Sequence, residues 1–267
     1  MRIVHFSDPH AGGGAEDWMA YFDKRWVGVF NYRFRRRFRH DLSKLEKAVD
    51  YIMSTRPDVA VCTGDLTSAG QPGEFEKVRK VLDVLRNSDI PLIYMPGNHD
   101  CYVKRPKCVR AMKDMVEYLS RGRYTFDALP VKIELGGVEF LLVNTSRPSN
   151  LLCSWGFLFK EDSRQISAWC GEEKQLLRIL VSHYPMTEDH PILRVRHRLF
   201  GQKEVVRLLQ EKKIDLALCG HVHKPYFQYR TDESVLECCA GSVTRNGSLV
   251  EITGSADGRF EFKTVEL

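Results

Sequence analysis

The sequence predicts an α/β fold built from two stacked β-sheets with helices on their outer faces. In the first half of the chain, short apolar runs alternate with amphipathic helical patterns, which is typical of a parallel sheet. In the second half, short apolar runs follow one another closely and predict a β-rich region. No repeat, low-complexity tract or linker divides the 267 residues, so we expect one domain over 1–267.

The first half contains three predicted strands and three predicted helices. In order, they are a strand at 2–7, a helix after Asp41, a strand at 58–63, a helix around 75–85, a strand at 91–94 and a helix at 109–119. Asp41 is a good N-cap for the first helix, whose apolar residues share one face before the pattern stops at Pro57. The strand at 91–94 breaks at Pro96-Gly97, where polar residues begin.

The second half begins with a predicted hairpin, in which Gly136-Gly137 joins strands at 131–135 and 138–144. A loop with large apolar residues is expected at 147–160, and a basic loop with Arg194, Arg196, His197 and Arg198 precedes a helix. The remaining predicted elements are a strand at 175–182, a helix at 204–212, a strand at 214–219 and consecutive short strands at 226–230, 235–239, 248–252 and 260–265.

The composition, with 43% hydrophobic and 28% charged residues, is ordinary for a soluble globular protein. The net charge is +5, which suits anions without demanding nucleic acid. No secretion signal follows Met1, and no apolar run approaches bilayer length, so we expect a cytoplasmic protein. The eight cysteines contain no Cys-x-x-Cys pair, which favours free thiols. A Cys101–Cys108 disulfide and a redox role for Cys238-Cys239 are the alternatives.

Residues 18–40 form an unusual segment in which aromatic and basic side chains interleave. The aromatic residues are Trp18, Tyr21, Phe22, Trp26, Phe30, Tyr32, Phe34 and Phe38, and the basic residues are Lys24, Arg25, Arg33, Arg35, Arg36, Arg37 and Arg39. One interpretation is a capping helix whose aromatics pack on the domain while the arginines face solvent. A second interpretation is recognition of a lipid or membrane surface. A third is single-strand nucleic-acid binding, although the sequence contains no recognised nucleic-acid module.

Polar residues with metal-binding chemistry follow five of the predicted strands. They are Asp8, His10, Asp65, Asn98, His99, His183, His221 and His223. The carboxyl ends of strands in an open α/β sheet share one edge, so these groups can converge although they are far apart in sequence. Singly, each is better explained as a turn former or a hydrogen-bonded residue, as we expect for His5, His40, His190 and His197. Five such segments together favour a functional site.

The ligand set of carboxylates, imidazoles and one amide suits Mn, with Fe or Zn as alternatives, rather than a structural zinc. There are too many ligands for one tetrahedral ion. Two ions that share one carboxylate would use them all.

These segments resemble the signature of the calcineurin-like metallophosphoesterases. The matching motifs are Asp8-x-His10, Gly64-Asp65, Gly97-Asn98-His99-Asp100, the strand-end His183 and Gly220-His221-x-His223, in the family's order. The resemblance implies a four-layer α/β/β/α sandwich of two mixed β-sheets flanked by helices. It also implies a dinuclear metal site at the strand ends and hydrolysis of a phosphodiester or pyrophosphate bond by a metal-activated hydroxide.

The resemblance also implies a role for each residue. Asp8, His10, Asp65 and His223 would hold one ion, while Asp65, Asn98, His183 and His221 would hold the other. His99 would face the substrate phosphate and the leaving group, and Asp100 would orient the His99 ring.

The motifs predict a phosphate-ester substrate without identifying it. The run Lys24-Arg25-x-x-Gly28-x-x-Asn31 is similar to bacterial members of the family that resemble UDP-2,3-diacylglucosamine hydrolases, which act on a lipid pyrophosphate. A lipid pyrophosphatase at the membrane surface and a cyclic-nucleotide phosphodiesterase are therefore the alternative enzymes. In the first, residues 18–40 would contact lipid as a peripheral membrane cap. A membrane- or partner-binding protein with a vestigial site is the non-enzyme alternative.

Overall fold

The computed structural model describes residues 1–148, 154–187, 198–255 and 259–267. Five strands form the first sheet: β1 (Arg2–Phe6), β2 (Val59–Cys62), β3 (Leu92–Tyr94), β12 (Ser248–Gly254) and β13 (Phe260–Glu266). Their order is β13-β12-β1-β2-β3. Strands β1, β2 and β3 run parallel, and β12 and β13 extend the sheet antiparallel beyond β1. The first sheet is therefore mixed.

Six strands form the second sheet: β4 (Val131–Leu135), β5 (Val138–Leu142), β7 (Leu177–Val181), β9 (Leu216–Cys219), β10 (Tyr226–Tyr229) and β11 (Val235–Cys239). Their order is β10-β11-β9-β7-β5-β4, with a parallel centre and one antiparallel strand at each edge. The predicted hairpin is the pair β4–β5, whose register is Leu135 opposite Val138. Two short strands, β6 (Gly156–Phe157) and β8 (Leu199–Phe200), pair with each other.

Seven α-helices accompany the sheets in the described part of the chain: α1 (Arg25–Phe34), α2 (Ser43–Thr55), α3 (Pro72–Asn87), α4 (Pro106–Ser120), α5 (Lys160–Gly171), α6 (Lys203–Gln210) and α7 (Val243–Asn246). Helix α3 starts where the sequence favours a start, because Pro72 occupies its first turn and Gln71 and Glu74 form a capping box. None of these helices combines the length and the apolarity needed to cross a bilayer.

The alternation of side chains in the second sheet shows how the layers stack. In β5, Phe140 and Leu142 join a core cluster shared with the first sheet, whereas Leu141 between them joins a second cluster with helices α5 and α6. In β7, Ile179 and Leu180 divide in the same way. Since alternate residues of a strand point to opposite faces, this sheet is covered on one side by the first sheet and on the other by helices. The four-layer α/β/β/α prediction is confirmed.

Local differences from the sequence prediction occur in both halves. In the first, the N-cap of α2 is Leu42 rather than Asp41, whose Oδ1 accepts from the Ser43 backbone N–H at 3.0 Å. Helix α5 was not predicted, and the expected loop at 147–160 contains strand β6. The four final strands are present but divide between the sheets, with α7 before β12. Seven cysteines are buried and free, including Cys101 and Cys108, so the disulfide alternative is wrong. Leu151, Leu152, Cys153, His190, Arg194, Arg196 and His197 lie outside the described residues.

The segment 18–40 lies beside the loops that follow β1 and β2. Ion pairs and close packing hold the segment against the domain. The buried Arg25 guanidinium pairs with Asp17 at 2.9 Å and with Asp23 at 2.9 Å. A Cβ atom on Gly28 would lie 2.7 Å from the Cβ of Ala69, so only glycine lets α1 approach the loop after β2 this closely.

The aromatic residues of this segment face outward, so the interpretation that they pack on the domain is wrong for seven of the eight. Those seven side chains are between 47% and 74% exposed: Trp18, Tyr21, Phe22, Trp26, Phe30, Phe34 and Phe38. Tyr32 is the exception, and its ring lies against Gly12. We call the seven exposed side chains the aromatic surface.

Candidate metal centre

The carboxyl ends of five parallel strands converge between the two sheets. Asp8 and His10 follow β1, Asp65 follows β2, and Asn98 with His99 follows β3. From the second sheet, His183 follows β7, and His221 with His223 follows β9. All seven predicted metal ligands therefore come from one end of the fold, and six of them are buried, with His223 partly exposed.

An unusual backbone conformation accompanies this convergence. Asp8, His10, Asp65, His221 and His223 have φ angles between +49° and +69°, in the left-handed region that non-glycine residues rarely adopt. Each such residue costs of order 1 kcal/mol and persists only where the surroundings enforce it. The strain occurs in the turns just beyond β1, β2 and β9, where it turns the side chains toward one another.

The first group of ligand-type atoms surrounds Asp8. The Oδ1 atom of Asp8 lies 3.4 Å from Nε2 of His10 and 3.1 Å from Nε2 of His223. Nε2 of His10 is also 3.6 Å from Oδ2 of Asp65. One donor atom from each of these four residues lies within 4.8 Å of the others, a spacing that a single cation can bridge.

The second group includes the same Asp65 oxygen. Oδ2 of Asp65 lies 3.5 Å from Nε2 of His183, which in turn lies 3.2 Å from Nδ1 of His221. The amide oxygen of Asn98 lies 3.2 Å from the same His183 nitrogen. Asp65 therefore stands between the two groups.

The two carboxylates fit a metal site because each has one oxygen anchored and one without a hydrogen-bond partner. Oδ2 of Asp8 accepts a hydrogen bond from the His221 backbone N–H at 3.0 Å, and Oδ1 of Asp65 accepts one from the His99 backbone N–H at 2.7 Å. The remaining oxygens, Asp8 Oδ1 and Asp65 Oδ2, are buried and unpartnered. Unpartnered buried carboxylate oxygens are costly, and a cation between them would remove that cost.

Backbone carbonyl groups fix which nitrogen of each ring faces the centre. Nδ1 of His183 donates to the Thr63 carbonyl at 2.7 Å, and Nδ1 of His10 donates to the Thr67 carbonyl at 3.2 Å. In its neutral form each ring therefore presents an unprotonated Nε2 to the centre, which is the state in which imidazole binds a metal. Burial lowers the pKa of His10, which favours this neutral form. Burial also opposes the charged form of His183, but Asp65 outweighs it and raises the pKa to about 9.

Two glycines allow the motifs to approach this closely. A Cβ atom on Gly97 would lie 2.1 Å from Oδ1 of Asp65, and one on Gly220 would lie 2.5 Å from Oδ2 of Asp8. Any larger residue would displace a carboxylate. The Gly-Asn-His-Asp and Gly-His-x-His motifs thus begin with glycine for a steric reason.

The contacts of Asp100 differ from those that the resemblance implies. Its oxygens accept hydrogen bonds from the backbone N–H groups of Leu66, Thr67 and Gly97 and from the hydroxyls of Thr67 and Tyr94. The His99 ring is oriented instead by the carbonyl of Ser68, to which its Nδ1 donates at 2.7 Å. Asp100 therefore links the turns after β2 and β3, and Ser68 orients the ring.

Sequence reasoning missed two residues of segment 18–40 that reach this centre. Arg36 shares a cavity of about 180 Å³ with Asp65, Asn98, His99, Ser154, His221, Val222 and His223. Nδ1 of His40 forms a 2.8 Å hydrogen bond with Oγ1 of Thr244. The centroid of the His40 ring lies 5.0 Å from that of the His10 ring. No sequence signal separates Arg36 from the arginines on either side of it.

A sequence model of the family described as calcineurin-like phosphoesterase matches residues 1–225. The chain belongs to the calcineurin-like phosphoesterase family. Among relatives in this family, the chain is 24% identical over 178 residues to a 3',5'-cyclic-nucleotide phosphodiesterase of Nostoc sp., covering 65% of this chain and 58% of that protein. It is 23% identical over 262 residues to a cAMP/cGMP dual specificity phosphodiesterase of Mycobacterium tuberculosis, covering 96% of this chain and 72% of that one.

The same architecture occurs in a solved structure of another protein. A dimetal phosphatase from Danio rerio superimposes with a TM-score of 0.66 at 15% identity, covering 100% of this chain and 98% of that one. At this level of identity the likeness supports the fold.

Proposed function

We propose that the protein is a dinuclear-metal-dependent phosphoesterase that hydrolyses a phosphodiester or pyrophosphate bond. The observation that carries this proposal is the unpartnered Oδ2 atom of Asp65, which lies 3.6 Å from Nε2 of His10 and 3.5 Å from Nε2 of His183. A buried carboxylate oxygen that stands between two groups of ligand-type side chains suits a residue that would help to hold two cations. Membership of the calcineurin-like phosphoesterase family supports the same conclusion.

In this proposal Asp8, His10, Asp65 and His223 hold one ion, and Asp65, Asn98, His183 and His221 hold the other. The mixture of carboxylate, imidazole and amide ligands favours manganese, with iron or zinc as alternatives. When bound, two such cations supply Lewis acidity, making a water molecule nucleophilic near neutral pH and neutralising charge on the phosphoryl oxygens.

The protein's own groups position the reacting atoms. The carbonyls of Thr63 and Thr67 hold the rings of His183 and His10 in the tautomer that ligation needs. Ser68 holds the His99 ring with Nε2 directed into the site, where it can contact the phosphoryl group or the leaving-group oxygen. Asp100 is a positioning residue in this scheme, because its hydrogen bonds tie the turns that carry Asp65 and Asn98.

Three observations bear on the substrate. The cavity of about 180 Å³ can hold a phosphate group but not the larger groups esterified to it. The rest of the substrate would therefore lie outside the cavity, toward segment 18–40 and Ser154. Relatives named as cyclic-nucleotide phosphodiesterases favour a phosphodiester. The aromatic surface beside the site favours the second candidate, a lipid pyrophosphate such as UDP-2,3-diacylglucosamine hydrolysed at a membrane.

We also propose that residues 1–267 act as one metallophosphoesterase domain capped by 18–40, and that the protein is cytoplasmic with peripheral contact to membranes. The aromatic surface supports this contact, because its side chains alternate with exposed arginines such as Arg33, Arg37 and Arg39. Apolar groups that insert between lipids and cations that meet anionic headgroups are the two requirements of an interfacial helix. Nucleic acid is a weaker candidate partner.

The activity is tested by manganese-dependent hydrolysis of bis(p-nitrophenyl) phosphate, followed by a screen of cyclic nucleotides, dinucleotides and UDP-diacylglucosamine. We expect hydrolysis that depends on added or co-purified metal and is absent in Asn98→Ala. A chain that binds no transition metal and remains inactive with manganese would favour the non-enzyme alternative, a binding protein with a vestigial site.

A further inference from the structure

Arg36 differs from the arginines around it in where its side chain lies. Arg35, Arg37 and Arg39 are exposed, whereas Arg36 is partly buried and lines the metal-site cavity. It begins a 3-10 turn (Arg36–Phe38) that follows helix α1, and this turn directs its guanidinium inward. One basic side chain of segment 18–40 has therefore been placed among the candidate catalytic groups.

The guanidinium contacts the residue expected to face the substrate. Nη2 of Arg36 donates to Nε2 of His99 at 3.0 Å. This nitrogen can accept because Nδ1 of His99 carries the proton that is donated to Ser68. Nη1 of Arg36 lies 3.2 Å from Nδ1 of His10, whose proton points to Thr67. Arg36 thus reaches both the proposed ligand and the proposed acid–base group.

Within the described residues, the Arg36 guanidinium forms no direct ion pair, although Asp65 and Asp8 attract it from a longer distance. In the described ranges 1–148, 154–187, 198–255 and 259–267, no carboxylate lies within 4.0 Å of its guanidinium, whereas Arg25 in the same segment pairs with Asp17 and Asp23. Burial disfavours the charged form and lowers the pKa of Arg36, but a guanidinium does not release its proton in a protein. A partly buried guanidinium that no carboxylate contacts has donors left for an anionic ligand, so the site favours such a ligand at this position.

We propose that Arg36 binds a non-bridging phosphoryl oxygen of the substrate, so that segment 18–40 completes the active site rather than only covering it. The planar guanidinium can donate two parallel hydrogen bonds to a phosphate, which suits it to this role better than lysine. The inference rests on the proposed phosphoesterase function. It adds that the cap supplies a substrate-binding residue that the five family motifs do not contain.

The test compares Arg36→Ala and Arg36→Lys with Arg35→Ala, an exposed neighbour of the same chemistry. Inorganic phosphate is titrated calorimetrically into each manganese-loaded protein, and hydrolysis of bis(p-nitrophenyl) phosphate is measured in parallel. We expect phosphate affinity and kcat/KM to fall about 10- to 100-fold in Arg36→Ala, the loss of a charged hydrogen bond. Arg36→Lys should lie between Arg36→Ala and wild type, free guanidinium should partly restore Arg36→Ala, and Arg35→Ala should match wild type.

Three results would overturn the inference. They are equal phosphate affinity in Arg36→Ala and Arg35→Ala, loss of manganese from both Arg36 variants, and no phosphate binding by the manganese-loaded wild type. If the wild type binds phosphate through Arg36 but hydrolyses no ester, the proposed function fails while the inference stands. If it hydrolyses esters equally well without Arg36, the inference fails while the function stands.

Discussion

Oδ1 of Asp65 accepts a hydrogen bond from the backbone N–H of His99 at 2.7 Å, which joins the turn after β2 to the turn after β3. The bond fixes the carboxylate so that its other oxygen faces His10 and His183. One side chain thus holds two motifs together and presents the atom that two cations would share.

Replacement of this carboxylate should separate its two roles. Asp65→Asn retains an oxygen that can accept from His99, so we expect the fold to persist. It removes the shared negative charge, so manganese content should fall from about two ions per chain to about one or none, with loss of hydrolysis. Metal analysis and circular dichroism check this, with the exposed Asp50→Asn as control. Full metal content in Asp65→Asn would contradict the bridging role.

Gly97→Ala should impair the site through sterics alone. The new Cβ would lie 2.1 Å from Oδ1 of Asp65 and 2.4 Å from its backbone nitrogen, so Asp65 must move by about an ångström. We expect kcat/KM to fall by about 100-fold, the usual effect of such a displacement. Gly171→Ala is the control, because nothing lies within 4 Å of the added atom and its activity should be unchanged. Equal activity in the two variants would refute the close-packing account.

Asp100→Asn distinguishes a residue that links turns from one that orients His99. The amide nitrogen would face donors such as Gly97 N–H, which leaves a buried donor unsatisfied and costs about 2 kcal/mol of folding stability. We expect lower stability and weaker manganese binding together, measured by denaturant unfolding and metal titration, with the exposed Asp127→Asn as control. A variant of normal stability and metal affinity whose pH–rate profile alone shifts would instead support the ring-orienting role.

The buried Glu74 predicts a pH-dependent stability term outside the metal site. Burial raises its pKa from 4.5 to about 7. A carboxyl with a raised pKa stabilises the fold fully below pH 4.5, and that contribution is lost as the pH rises through about 7. Relative to Glu74→Gln, wild type should lose about 3 kcal/mol between pH 4 and pH 8. Unfolding curves of both proteins measure this, and parallel pH dependence would contradict it; Glu76→Gln, exposed on the same helix, is the control.

The aromatic surface predicts binding to anionic vesicles. Replacing Phe22, Phe34 and Phe38 together by serine removes apolar area that would insert between lipids, and should weaken vesicle affinity by about 10-fold per side chain. Sedimentation with phosphatidylglycerol-containing vesicles measures the change. Val84→Ser, an exposed apolar site on α3, should bind like wild type. If the triple variant sediments as wild type does, the membrane proposal fails.

The strand-end pattern predicted the fold and the convergence of the candidate ligands because both depend on local signals. Alternating strands and helices fix a parallel sheet, and the end of each strand is visible where apolar residues give way to groups such as Gly64-Asp65. Helix α5 was not predicted because its apolar pattern is weak: only Ser163, Ile166 and Cys170 are buried. The large apolar residues just before it, Phe157 to Phe159, were assigned to a loop.

The sequence by itself determined which residues gather at the strand ends, since hydrophobic periodicity sets the strands and the parallel topology brings their carboxyl ends together. Only the tertiary structure decided that Ser68 rather than Asp100 orients His99, and that Arg36 rather than Arg35 or Arg37 enters the site. The three arginines are chemically identical and adjacent. The direction of each side chain depends on where α1 ends and on the close packing of Gly28 against Ala69. Contacts between residues far apart in the chain set those positions, and periodicity carries no information about them.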